Sequence, residues 1–335
     1  MALLLREADV RMILTMPLAI EAVEEAFRHL ADNSAVLHPR QRLHIPGQSY
    51  LHYMAAGDSG GGYMGLKIYT SSREGLRFLL PLFDTRSGDL VALIEADYLG
   101  QMRTGAASGV ATKLLANPDA RTVAMIGTGS QARTQLEAVA AVRKIERVRA
   151  FGRDAQRREQ FAEEMAVRLN ITVRAVASAE GAVRGADIVV TSTTATEPVV
   201  FGAWLKPGAH INAIGANFPQ KRELDDETVR RAGVIVVDSL QQSKQESGDL
   251  IQAFGDDAAR WKNVRELAGI VAGKTAGQIS GRAQPEQITL FKSNGIAIED
   301  IVVAGRVYEL ARTRAIGTEI PMWQGDGRSA KGRSV

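Results

Sequence analysis

The sequence contains no cysteine. Disulfides, zinc–thiolate sites and a cysteine nucleophile are excluded, and a reducing, cytoplasmic setting is expected. Aromatic residues make up only 5% of the chain, which leaves few platforms on which nucleic-acid bases could stack. Charge of one sign is missing too: 41 Lys and Arg face 38 Asp and Glu, a net +3 over 335 residues. That balance points to no nucleic-acid partner. No run approaches the ~20 apolar residues that span a bilayer, so no membrane partner is expected. The apolar opening reaches Arg6 too soon for a signal peptide. No His, Asp and Glu cluster has metal-ligand spacing, so no metal is expected. What remains is 45% hydrophobic and 24% charged, a globular composition long enough for two domains.

The most informative stretch present is Thr122-Val-Ala-Met-Ile-Gly127-Thr-Gly129-Ser130-Gln131-Ala132. An apolar run ends in Gly-x-Gly-x-x-Ala and flows into a helical pattern, the strand–turn–helix order of a dinucleotide site. Gly127 allows the sharp turn, Gly129 lets backbone approach a pyrophosphate, and Ala132 lets helix and strand pack closely. The first turn of that helix, Ser130 and Gln131 included, would aim its N–H groups at the phosphates.

Around this motif the chain changes character. Residues 17–30 read as a helix, with Pro17 in its first turn. Residues 35–100 hold short β-type runs at Leu51, Gly65, Phe78 and Leu90, with a hairpin connection at Asp84–Asp89. A small-residue helix from Thr104 to Ala116 stops at Asn117-Pro118. Strands at 122–126, 148–151, 172–175, 188–191, 210–214 and 234–237 then alternate with helices, notably 131–142 and 154–168. That alternation predicts a parallel doubly wound sheet. A long amphipathic helix is expected over 296–310, and a polar, basic, flexible tail over 324–335.

Several pieces stand in a characteristic order. These are Gly65-Leu-Lys67, Asp84-x4-Asp89, Arg103-Thr104-Gly-Ala-Ala-Ser-Gly, the glycine turn, Gly215-Ala-Asn217-x-Pro-x-Lys221-Arg-Glu-Leu-Asp225, Glu246-Ser-Gly-Asp249 and Thr289-Leu-Phe-Lys-Ser293-Asn-Gly-x-Ala-x-Glu-Asp300. In this order and spacing, over roughly residues 10–315, the chain resembles the ornithine cyclodeaminase/mu-crystallin family. The resemblance implies an α/β protein: a Rossmann domain of doubly wound parallel sheet, inserted into a discontinuous α+β substrate and dimerisation domain. The expected division is 1–117 with 296–323, and 118–295 for the dinucleotide unit. It also implies a homodimer and a site in the cleft between the domains.

Residue type alone leaves Lys67, flanked by apolar strand residues, facing water or buried with a partner, and favours water. The resemblance places the matching lysine beside the reacting carbon and the substrate carboxylate, as charge partner or proton donor. Arg42 and Arg103 are the expected carboxylate clamp, since a guanidinium binds a carboxylate through paired hydrogen bonds. The family's first arginine stands four residues before a proline. Arg42, four before Pro46, fits that better than Arg40, which stays an alternative. Arg103 is read as preceding a helix start, where the dipole would also favour an anion.

Asn217 departs from the family pattern. Members that deaminate or oxidise amino acids carry an aspartate there, and an amide cannot act as a general base. The strand Tyr50-Leu-His-Tyr-Met-Ala also lacks the acid that cyclodeaminases use for ornithine's distal ammonium. Asp225 and Asp226 are read as helix capping, and His44 and His52 as structural. An imine reductase needs a clamp, a proton donor and reduced nicotinamide, but no strong base.

Cofactor choice is read after the second strand of the Rossmann unit. No acid occupies Phe151 or Gly152, whereas Arg153 would meet a 2′-phosphate, which favours NADP(H) over NAD(H). Asp154 leaves NAD(H) open. Thr104, Thr191, Ser192 and Thr193 are assigned to the cofactor, and by resemblance Lys221 and Ser293 as well. The expected activity is NAD(P)H-dependent reduction of a small imino or ketimino carboxylate, or reductive amination of a 2-oxo acid. The alternatives are redox-neutral cyclodeamination of ornithine with bound NAD, and a non-catalytic, crystallin-like NADP-binding protein.

Overall fold

The computed structural model describes residues 1–72, 75–273 and 281–322. The tail expected over 324–335, and residue 323 of the expected division, lie outside them. Two sheets organise the chain. The first runs in the order Thr318–Ile320, Ala2–Leu5, Leu90–Glu95, Gly75–Asp84, Tyr63–Ser72, Ser49–Asp58, Ala35–Leu37, with Gln41–Ile45 also pairing with Ser49–Asp58. Its neighbours are antiparallel except Ala2–Leu5 beside Leu90–Glu95. Alternate residues such as Leu80 and Leu82 face inward, as a pleated strand with one covered face requires. Helices Met16–Ala31, Asp97–Leu115 and Ala297–Thr313 cover that face and share one apolar core with it, around Phe27, Met54, Leu99 and Ile301.

The second sheet is parallel throughout, in the order Thr172–Ala175, Arg147–Phe151, Thr122–Ile126, Ile188–Thr191, His210–Ala213, Ile288–Lys292, Ala232–Val237, Arg265–Glu266. Its central strands are buried on both faces, which is why they read as continuous apolar runs. This is a doubly wound Rossmann sheet. Among the described residues no helix is long and apolar enough to cross a membrane.

Three local expectations are corrected. The helix expected from Thr104 begins at Asp97, so Arg103 lies inside it and not before its start. Gly100 disguised the first turn, although Asp97 supplies the acid that a helix N-terminus favours. The helix Ala297–Thr313 is not amphipathic, because most of its length is buried between the first sheet and the helix Met16–Ala31. The strand Ile288–Lys292, not among the expected strands, is inserted near the middle of the second sheet. Asp225 does cap its helix, accepting from Thr228 N at 2.8 Å.

Candidate functional site

A cleft of ≈ 640 Å³ opens between the carboxyl ends of the parallel strands and one end of the first sheet. Opposite walls carry different chemistry. On the first-sheet side lie His52, Met54, Lys67, Tyr69 and Phe78, joined by Gly100, Arg103 and Thr104 of the helix Asp97–Leu115. On the other side lie Gly129 to Gln131, Ser192 to Thr194, Gly215, Asn217 and Ser293.

Lys67 is the centre of the charged wall. Its strand places it inward, directly across from Met54, and its side chain is 2% exposed. Nζ donates to Asp300 Oδ1 at 2.7 Å. Arg103 Nε reaches the same oxygen at 3.0 Å, and its NH1 donates to Glu299 Oε2 at 2.7 Å. Two glycines make room: a Cβ on Gly100 would stand 3.1 Å from Lys67 Nζ, and one on Gly295 2.6 Å from Arg103 NH1. Burial, with the Arg103 guanidinium close by, pulls the Lys67 ammonium down to about 8 against the pull of Asp300. Burial pushes the Glu299 carboxyl up to about 8 against Arg103. With Glu299 largely protonated at neutral pH, Lys67 and Arg103 share one carboxylate, and a positive charge is left for an anionic ligand.

The two arginines near the cleft mouth divide differently from the spacing argument. Arg40, 7% exposed, lines the cleft and donates to Glu246 Oε2 at 2.5 Å and to the carbonyls of Asn294 and Gly295. Arg42 stands outside the cleft wall. It pairs with Glu246 Oε1 at 2.6 Å, donates to the Asn217 carbonyl at 3.1 Å and lies over the Phe218 ring. An apolar floor follows, in which His52 stacks on Tyr69 at 4.3 Å and Tyr69 on Phe78 at 4.8 Å. Burial, with Arg42 and Arg40 nearby, holds His52 down to about 4, so its ring is neutral at physiological pH.

On the other wall, Gly127 adopts φ +104, and a Cβ there would meet the Ser192 carbonyl at 2.4 Å; only glycine fits. Gly129 has open space where a Cβ would point, and it precedes a helix with no side-chain cap. Ala132 is buried within that helix. Ser192 Oγ and Gln131 Oε1 are buried without hydrogen-bond partners among the described residues. Uncapped N–H groups, an open approach at Gly129 and unsatisfied polar atoms facing one cleft are what a dinucleotide would use. Arg153 is exposed beyond the second strand of this sheet and has no partner among the described residues. Asp154 beside it is spent on capping, accepting from Arg157 N at 2.9 Å.

Other expected site residues are placed less directly. Thr191 is turned away from the cleft, because its hydroxyl donates to Glu223 Oε2 at 2.7 Å. Lys221 lies over the Phe218 ring at 5.2 Å, off the cleft wall. The Thr104 hydroxyl donates back to the Gly100 carbonyl, and Ser293 Oγ to Asp238 Oδ2. Residue-by-residue reading passed over Glu246, Glu299, Asp300 and Lys292 as functional groups. The signal was present: Ile298-Glu-Asp-Ile301 and Phe291-Lys292 set charge inside apolar runs.

The sequence profile of the ornithine cyclodeaminase/mu-crystallin family matches residues 2–315. The chain belongs to this family. A Delta(1)-pyrroline-2-carboxylate reductase of Bacillus cereus is 38% identical over 265 residues, covering 77% of this chain and 80% of that one. The ketimine reductase mu-crystallin of Mus musculus is 40% identical over 228 residues, covering 68% and 67%. The solved structure of Thermococcus litoralis Delta(1)-pyrroline-2-carboxylate reductase, in complex with NADH and L-proline, superposes with a TM-score of 0.90. It is 38% identical and covers 95% of this chain and all of that one. Family membership and the parallel sheet together make this an NAD(P)-type dinucleotide fold.

Proposed function

We propose that this protein is an NAD(P)H-dependent oxidoreductase that reduces the C=N bond of a small imino or ketimino carboxylate to an amino acid. Reductive amination of a 2-oxo acid is the same chemistry entered one step earlier. The observation that carries the reading is the buried Lys67–Asp300–Arg103 arrangement facing Asn217 across the cleft. It offers a proton and a seat for a carboxylate but no base in the position where deaminating members hold one.

The substrate carboxylate is gripped by Arg103 and Lys67 with an arginine from the cleft mouth. Arg42 was expected there, and the cleft wall favours Arg40. Lys67, held by Asp300, gives a proton to the substrate nitrogen, and a pKa of about 8 makes it charged yet ready to donate at neutral pH. Asn217 orients the reacting group through hydrogen bonds. Reduced nicotinamide, when bound, supplies hydride to the imine carbon. Gly127, Gly129, Ser130, Gln131 and Ala132 would hold its pyrophosphate, and Thr104, Ser192, Thr193 and Ser293 its nicotinamide half. Thr191 and Lys221, assigned to the cofactor with them, stand off the cleft wall, Thr191 hydrogen-bonded to Glu223 and Lys221 over the Phe218 ring.

NADP(H) is favoured over NAD(H), because Arg153 has no partner among the described residues and Asp154 is occupied as a cap. The substrate and dimerisation unit is residues 1–117 with 296–323, and the dinucleotide unit is 118–295. Exposed Val36, Leu43, Ile45, Tyr53 and Met64 on the first sheet support a homodimer formed through that sheet. The lack of cysteine suits the cytoplasm.

Steady-state nicotinamide absorbance tests the function. NADPH and NADH are each offered with cyclic imino acids and with 2-oxo acids plus amines, and L-ornithine with NAD+ runs in parallel. Oxidation of NADPH by an imino carboxylate is expected. Proline and ammonia from ornithine without net NADH would show that Asn217 does not block deamination and would replace the reductase reading with the cyclodeaminase one.

A further inference from the structure

Behind the uncharged wall of the cleft lies a charged cluster that the proposed reaction does not use. Glu223 is fully buried, and its carboxylate accepts three donors from two separate strand ends. Thr193 N donates to Oε1 at 2.6 Å, while Thr191 Oγ1 and Gly215 N donate to Oε2 at 2.7 and 2.8 Å. Glu223 is itself fixed: its own N–H and that of Leu224 donate to Asp249 Oδ1 at 2.7 and 2.9 Å. Asp249 pairs with Lys292 at 3.3 Å, and Lys292 donates to the Ala216 carbonyl at 2.6 Å, beside Asn217. The packing leaves no slack, since a Cβ on Gly215 would lie 2.3 Å from the Thr193 carbonyl and 2.5 Å from Glu223 Oε1.

On the reading that the nicotinamide half lies against Ser192–Thr193 and Gly215–Asn217, we propose that Glu223 is a positioning residue for nicotinamide binding. It fastens the two loops that form that surface to each other. Two of these partners are backbone N–H groups, one on each carboxyl oxygen, so the group serves both strand ends as an acceptor. Ser and Thr side chains or ordered water at this point would tie the loops less firmly, because a carboxyl group offers two oxygens and reaches both strand ends at once. The adenine half is held elsewhere, near Gly129 and Arg153, and does not depend on this staple.

The test is Glu223→Gln, which keeps the shape but turns an N–H toward at least one of the donors. Equilibrium binding is measured by fluorescence titration for NADPH against 2′,5′-ADP, and for NADH against ADP, with thermal unfolding alongside. The full dinucleotide should weaken about tenfold, the factor for one lost hydrogen bond to a charged group, while the adenine half stays within about twofold. Equal weakening of both ligands, or weakening of neither, overturns the proposal. If Glu223→Gln does not fold, Thr191→Val removes one donor, and the same split at about threefold is expected; no split there overturns it equally. A folded wild-type protein that binds neither dinucleotide would overturn the dinucleotide reading itself.

Discussion

Replacing Lys67 with Met separates catalysis from stability. The substitution keeps an unbranched chain of similar length and removes the ammonium. Net of the pull of Asp300, holding that charge in the buried site lowers its pKa from 10.5 to about 8, a cost on the order of 3 kcal/mol. Methionine escapes this cost but leaves Asp300 short of one donor, which costs about 1–3 kcal/mol. Asp300 still has Arg103 Nε at 3.0 Å. The two terms nearly cancel, so the melting temperature should move by only a few degrees. Turnover should fall by about 10²–10⁴, the usual contribution of a positioned general acid. The wild-type reduction rate should hold steady below about pH 8 and fall above it as the ammonium is lost, and Lys67→Met should lack that limb. Nicotinamide absorbance gives the rates, and fluorescence titration should show NADPH affinity unchanged. Turnover within about tenfold of wild type, or a persistent limb near pH 8, would falsify the assignment of Lys67 as proton donor.

Arg153→Ala should raise the NADPH KM by about 10–100-fold, the loss of a charge-assisted contact to phosphate, and leave the NADH KM nearly unchanged. Parallel losses with both cofactors would remove Arg153 from the choice between them. Glu299 is protonated in the folded chain up to about pH 8, whereas its ordinary value is 4.5. The folded state therefore binds the extra proton, and this contribution to stability is full below about pH 4.5 and is lost as pH rises toward 8. Glu299→Gln should flatten that part of the pH dependence in denaturant titrations. Identical slopes in the two proteins would refute the assignment of the shift to this carboxyl.

What the sequence disclosed depended on how local the cause was. The strands Thr122–Ile126 and Ile188–Thr191 coincide with their apolar runs, because burial on both faces writes itself into consecutive residues. The glycine turn was legible since φ +104 at Gly127 demands glycine wherever it occurs. The partners of Lys67 were not legible. Asp300 is 233 positions away, and nothing near Lys67 announces it. Arg40 and Arg42 are two residues apart on neighbouring points of one edge, so a spacing rule could not tell which side chain enters the cleft. The acceptor of the Thr191 hydroxyl, Glu223, is hidden for a similar reason: it lies on a loop that no periodicity marks.

The pairing of Ala2 with Ile320 joins the two ends of the described chain in a single sheet. During synthesis, residues 2–4 must wait for residues 318–320 before their antiparallel partner exists. The parallel sheet, by contrast, draws all of its strands from Thr122 to Lys292 and can assemble while the last helix is still being made. Contacts this distant in sequence slow folding, since loop closure precedes any reward. The first sheet should therefore be the later of the two to complete, and its apolar inner face should stay open longest to chaperones or to premature association with a second nascent chain.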